Sequence, residues 1–179
     1  MTGFESPLDM LRECHQRVQA QCRTLVRLVP HLHQHGSDQV AVDAARAVMR
    51  YFDLAAPLHH ADEEADLFPA LLDAVGGSDA VCLHGLIDGR LGEHIELDRQ
   101  WQSIRQVLQR VASGQAALLD ADIIDAFQAA YKRHIGTEEN ELLPMADRLL
   151  PAPVLAALGR SMQARRGVPP EGMAAPDRR

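Results

Sequence analysis

Along four long stretches of the chain, apolar residues recur at three- and four-residue steps, the spacing of helices that each bury one face. The first stripe is Leu8, Leu11, His15, Val18, Cys22, Leu25, Val29 and Leu32. Ser6-Pro7 reads as its N-cap and first helical residue, and Pro30 followed by Gly36-Ser37-Asp38 as its end. The second, from about Asp38 to Val75, carries Ala41, Ala45, Val48, Phe52, Ala55, His59, Glu63, Leu67, Ala70 and Ala74. Pro57 and Pro69 lie inside it and predict kinks, because each removes a backbone donor.

The third, from about Asp79 to Ser113, carries Leu83, Ile87, Arg90, His94, Leu97, Trp101, Ile104, Leu108 and Val111. Gly85, Gly89 and Gly92 weaken its first half. The fourth, from about Asp120 to Leu150, carries Ile123, Phe127, Ala130, His134, Glu138, Leu142, Met145 and Leu149. Four amphipathic segments joined by short polar loops predict an all-α fold, an up-down-up-down four-helix bundle over residues 1–150. A short fifth helix follows in 151–166, and 167–179 has no periodicity and is expected to be a disordered tail.

Composition agrees with helix packing. Hydrophobic residues make up 46% of the chain and aromatics only 4%, whereas sheets draw on aromatic and β-branched residues. The net charge of −7 argues against nucleic acid or an anionic membrane as partner. Cys14, Cys22 and Cys82 form no CxxC pair, and the N-terminus lacks an apolar signal core, so a cytoplasmic location is expected.

Each of the four faces is interrupted by one histidine: His15, His59, His94 and His134. Counted from the connecting loops, these lie at similar heights. His59 and His94, for example, each fall about 25 Å from the Gly76-Gly77 turn at about 1.5 Å per residue. Glu63 and Glu138 follow His59 and His134 by four residues, one turn along on the same face. Two carboxylates buried without partners cost several kcal/mol. Four imidazoles and two carboxylates in one layer therefore predict a site for two cations. Mixed nitrogen and oxygen donors suit iron or manganese better than a thiolate zinc site.

The pairs sit in a repeated phrase, "HHADEEADLFP" from His59 and "HIGTEENELLP" from His134, with one further histidine on each of the first and third helices. A two-metal site of pseudo-twofold symmetry needs one such pair from each of two helices. The chain here resembles the hemerythrin-like HHE cation-binding domain family over about residues 7–150. The resemblance implies a non-haem centre of two iron ions (manganese or zinc as substitutes). His15, His59, His94 and His134 would be its terminal ligands. Glu63 and Glu138 would bridge the metals beside an oxo, hydroxo or water bridge. Oxygen-carrying members have a second histidine one turn before the third-helix ligand. Here that place is Arg90, which argues against simple reversible O2 carriage and for redox chemistry, sensing or labile iron.

Other polar residues read more plainly. His60 and Glu64 fall one residue out of register, and His60 is expected beside the ligands or at the surface. His84 lies off the stripe, and His31, His33 and His35 read as a solvated helix end. Glu64 and Glu139 either hydrogen-bond ligand histidines or face water. Cys22 and Trp101 read as packing. Cys14 is the cysteine beside a ligand, and Arg90 either points toward the layer or snorkels to solvent.

The expected function is binding of O2, NO or peroxide at the di-metal centre, in sensing or in protection against oxidative or nitrosative stress. The alternatives are an iron donor to iron-sulfur cluster repair and a small metal-dependent oxidase or peroxidase. No nucleophile or nucleotide loop is legible, so any chemistry would occur at the metals. A homodimer is compatible with either reading.

Overall fold

The computed structural model describes residues 3–169 of the 179-residue chain, and among these every regular element is helical. Helix α1 spans Pro7–His35. The second helical run is α2 (Gln39–Arg50), α3 (Ala56–Asp62) and α4 (Phe68–Ala74), joined by π turns at Tyr51–Ala55 and Glu63–Leu67. Helix α5 spans Ser78–Ala112 without interruption, despite its three glycines. The fourth run is α6 (Ala121–Thr137) and α7 (Leu143–Leu149), joined by a π turn at Glu138–Leu142, and α8 spans Ala152–Arg165. The expected tail falls, from residue 170 on, outside the described residues.

The helix ends follow local chemistry. Pro7 sits in the first turn of α1, where a missing N–H costs nothing, although the Ser6 side chain makes no cap bond. Pro30 lies inside α1 rather than ending it; the helix stops at Gly36, whose φ of +65° suits a residue without Cβ. Asp38 and Asp120 cap α2 and α6, their carboxylates accepting from the N–H groups of Ala41, and of Asp122 and Ile123.

The prolines expected to kink the second run instead follow π turns. The π turns begin at Tyr51, Glu63 and Glu138, each six residues before Pro57, Pro69 or Pro144. In them the N–H of Ala56, Phe68 and Leu143 reaches back five residues to Tyr51, Glu63 and Glu138. A proline cannot donate to the carbonyl four residues earlier, and the widened turn absorbs that mismatch. The cost to sequence reading is one residue of phase. Ala56 is buried where Ala55 was expected, Leu71 where Ala70 was, and Ala146 and Leu150 where Met145 and Leu149 were. Away from π turns, Leu28, Ile124 and Tyr131 replace Val29, Ile123 and Ala130 as buried positions. On α5, which has no proline, all nine expected positions are buried.

Neighbouring runs pack in chain order, α1 on α2, α2 on α5, α5 on α6, and α6 returns to α1. The apolar interior divides in two. One cluster gathers Val18, Leu25, Phe52, Trp101, Phe127 and Tyr131; the other gathers Leu11, Leu67, Phe68, Leu71, Leu142 and Met162. Between them in every run lies a buried polar residue: His15, His59, His94 or His134. Each fully buried Leu or Phe contributes about 1.5–3 kcal/mol, so two dry plugs hold this layer away from water.

Helix α8 covers one flank, packing on α1, α3 and the Glu63–Leu67 turn. Leu158 and Met162 enter the second cluster. Gly159 lies so close to the Phe4 carbonyl that a Cβ there would overlap it. Arg165 and Arg166 both pair with the buried carboxylate of Asp62, and Arg165 also with Asp66 at 2.6 Å.

Candidate metal centre

All six residues singled out by the four stripes and the repeated phrase meet in the polar layer. His15, Glu63, His59, Glu138 and His134 are each no more than 1% exposed, and His94 is 4% exposed. They fall into two overlapping sets whose donor atoms lie within 4.8 Å of one another: His15, His59, Glu63, Glu138 and Glu63, His94, His134, Glu138. Both sets share the same two carboxylates.

The sharing is ordered atom by atom. Glu63 Oε1 lies 3.4 Å from His59 Nε2 and 3.9 Å from His15 Nε2, while its Oε2 lies 3.4 Å from His94 Nε2. Glu138 Oε2 lies 3.1 Å from His15 Nε2, while its Oε1 lies 3.0 Å from His134 Nε2 and 4.0 Å from His94 Nε2. Each glutamate thus turns one oxygen to the His15–His59 side and the other to the His94–His134 side. Two donors each about 2.1 Å from one cation, at right angles, stand about 3 Å apart, so these spacings suit cations between them.

The outer nitrogens explain why Nε2 faces inward. His15 Nδ1 donates to Glu139 at 3.1 Å, His94 Nδ1 to Glu64 at 2.6 Å and His134 Nδ1 to Glu93 at 2.8 Å. A carboxylate can only accept, so Nδ1 carries a proton in each pair, and Nε2 is the nitrogen that a cation would take. Glu64 and Glu139 are the second acids of the two phrases, and they orient histidines on other helices. Of the two readings open for them, the hydrogen-bonded one holds. Nothing in the periodicity pointed to Glu93, although an acid directly beside His94 was a visible signal. Arg90 points toward this group, donating to Glu93 at 2.7 Å and toward the His134 carbonyl at 3.4 Å.

The layer is short of hydrogen bonds. The Nε2 atoms of His15, His94 and His134 and all four oxygens of Glu63 and Glu138 are buried without a hydrogen-bond partner of good geometry. Natural interiors satisfy such groups, and leaving two carboxylates in this state is costly. The donor set fits a pair of cations, which would engage all seven atoms at once.

Electrostatics in the metal-free chain follow from the same crowding. Burial pushes the His15 imidazole down, but hydrogen bonding and charge from Glu138 and Glu63 outweigh it and hold its pKa at about 10. His94 is raised in the same way against burial, by Glu63 and Glu64. His59 is lowered by burial. Glu63 is held well below the usual carboxylate range although burial opposes it, because His59, His15 and His94 surround it.

Other expectations resolve simply. His84 is exposed, His33 and His35 are exposed, and His31 pairs with Asp38 at 2.9 Å, so none joins the layer. Cys22 is buried in the first cluster. Trp101 packs at 4.8 Å on Phe52 and donates to Asp53 at 3.0 Å. His60, expected beside the ligands or at the surface, stands against the layer: its ring stacks on His94 at 3.9 Å.

No helix among the described residues is long and apolar enough to cross a membrane. The chain is 34% identical over 165 residues to an uncharacterized protein of Haemophilus influenzae, covering 92% of each chain. Residues 6–146, which hold both repeated phrases and all six converging side chains, match the Hemerythrin HHE cation binding domain, and the chain belongs to that family.

Proposed function

We propose that the protein is a non-haem di-iron protein that binds O2, NO or peroxide, acting in sensing or in protection against oxidative or nitrosative stress. Residues 1–150 form its up-down-up-down four-helix bundle, with α8 as an added flank. His15 and His59 would hold one metal and His94 and His134 the other, with Glu63 and Glu138 offering an oxygen to each. The observation that carries this reading is the division of each glutamate's oxygens between the two histidine pairs.

Two iron ions, when bound, supply one-electron redox chemistry and a positive site that polarises a small ligand. The chain's own residues do the rest. Glu139, Glu64 and Glu93 fix the rings of His15, His94 and His134, and the two apolar clusters exclude bulk water, so charges inside the layer act at short range in a low dielectric. Two imidazoles and the two shared carboxylates are the donors each side would offer, a small set that suits a centre taking up a small ligand.

Metal analysis of protein purified from iron-replete cells should return two irons per chain, with a ligand-to-iron charge-transfer band. Glu63→Ala and Glu138→Ala should each lose at least one. Mixing the reduced protein with O2 should change the spectrum; an unchanged spectrum removes the ligand-binding reading. Dialysis against a chelator separates a resident centre, which keeps its iron, from an iron donor, which releases it quickly.

A further inference from the structure

The polar layer is close to a twofold copy of itself. His15 and His59 meet edge to face, with ring centres 4.9 Å apart and planes at 79°, and His94 and His134 meet at 4.8 Å and 69°. Swapping α1 with α5, and the second run with the fourth, carries His15 onto His94, His59 onto His134 and Glu63 onto Glu138. The swap also carries the bond between His94 Nδ1 and Glu64 onto the bond between His15 Nδ1 and Glu139.

The copy fails at one bond. His134 Nδ1 donates to Glu93, the residue just before His94. The matching donor is His59 Nδ1, and its acceptor would come from the residue just before His15, which is Cys14. That stretch of α1 lies against the second run, where the Tyr51 hydroxyl donates to the Cys14 carbonyl at 3.0 Å. A thiol is shorter than a glutamate side chain and accepts only weakly. His59 Nδ1 is accordingly buried without a hydrogen-bond partner. The residue is 1% exposed, so bulk water does not reach it either. Of the four layer histidines, His59 alone lacks an acid that fixes its ring.

An acceptor at Nδ1 holds an imidazole in one rotation and makes Nε2 a better donor to a metal, and losing it weakens binding about 10–100-fold. Both halves of the layer use the same two carboxylates, so a difference in hold falls on the imidazoles. Resting on the di-metal reading above, we propose that the two positions hold metal unequally. The His15–His59 position is the exchangeable one and gives up its iron first, while the His94–His134 position keeps its iron. The difference is set by Cys14 standing where Glu93 stands in the other half. A centre built this way loses and regains one iron while the other keeps Glu63 and Glu138 in place.

The test is iron release from the iron-loaded full chain into an excess of a strong chelator, with total iron measured at the start. The wild type should release its two irons in two phases of equal amplitude, with rates about tenfold or more apart. Cys14→Glu supplies the missing acceptor and should slow the fast phase alone. Glu93→Cys, at a half-buried position, copies the unbraced half onto the other and should merge both phases into one fast release. A single phase in the wild type overturns the proposal, as does a slow phase that Glu93→Cys leaves unchanged. An unchanged fast phase in folded Cys14→Glu overturns it as well; if that variant does not fold, Glu93→Cys decides alone. A wild type that starts without two irons defeats the di-metal reading itself, a result distinct from all of these.

Discussion

Glu93 binds Arg90 with one carboxylate oxygen and His134 with the other, at 2.7 and 2.8 Å. Arg90 stands where oxygen-carrying hemerythrins resembled by this chain have a histidine. The guanidinium does not replace that ligand. It braces the acid that orients the His134 ring on another helix, across the α5–α6 contact. Glu93→Ala should therefore free the His134 ring and weaken iron binding about 10–100-fold. Arg90→Ala should weaken it less, because Glu93 can still accept from His134. Competition with a chelator measures both; equal affinities for Glu93→Ala and wild type would refute the bracing role.

Metal loading should release protons. Glu138 and Glu63 hold His15 at about 10 against burial, so without a metal it is doubly protonated at pH 7. A cation must displace that extra proton. Apparent affinity should rise as pH climbs toward about 10 and level off above it. Calorimetry in buffers of different ionisation enthalpy counts the released protons; a count of zero at pH 7 contradicts the prediction.

The α8 clamp concerns stability. Asp62 is fully buried, and its charge is matched by Arg165 and Arg166, which come from outside the four runs. Removing both arginines by Arg165→Ala/Arg166→Ala leaves a buried carboxylate unpaired, at a cost of about 3–5 kcal/mol. Adding Asp62→Asn to that double variant should recover much of the loss. Urea denaturation reads both, and a double variant as stable as wild type would show that the clamp contributes nothing.

The thiols should separate by burial. Cys14 and Cys22 are buried and Cys82 is exposed. Burial raises the Cys14 thiol and pushes Cys22 up to about 12, so neither forms thiolate near neutral pH. A thiol reagent should label one cysteine in the native protein and three in urea. Rapid native labelling of Cys14 would restore it as a redox candidate beside His15.

Much of this protein was legible in one dimension. The three- and four-residue rhythm specified the helices, because burial of one face imposes that period on any long amphipathic helix. The repeated phrase specified four of the six converging side chains, because a four-residue step always puts His59 and Glu63, or His134 and Glu138, on one face; the stripes of the first and third helices specified His15 and His94. On α5, with no proline, every buried position was read correctly.

Tertiary structure decided what depends on angles and on distant partners. The π turns before Pro57, Pro69 and Pro144 add one residue to the winding, and a strict 3.6-residue count cannot anticipate that, so Ala56, Leu71 and Ala146 replaced their neighbours. Glu64 and Glu139 looked as ready to face water as to bind, since their donors, His94 and His15, lie on other helices. The pairing of Glu93 with His134 and of Arg166 with Asp62 joins residues 41 and 104 positions apart. Periodicity records which way a side chain faces, and only the packed bundle settles what it meets there.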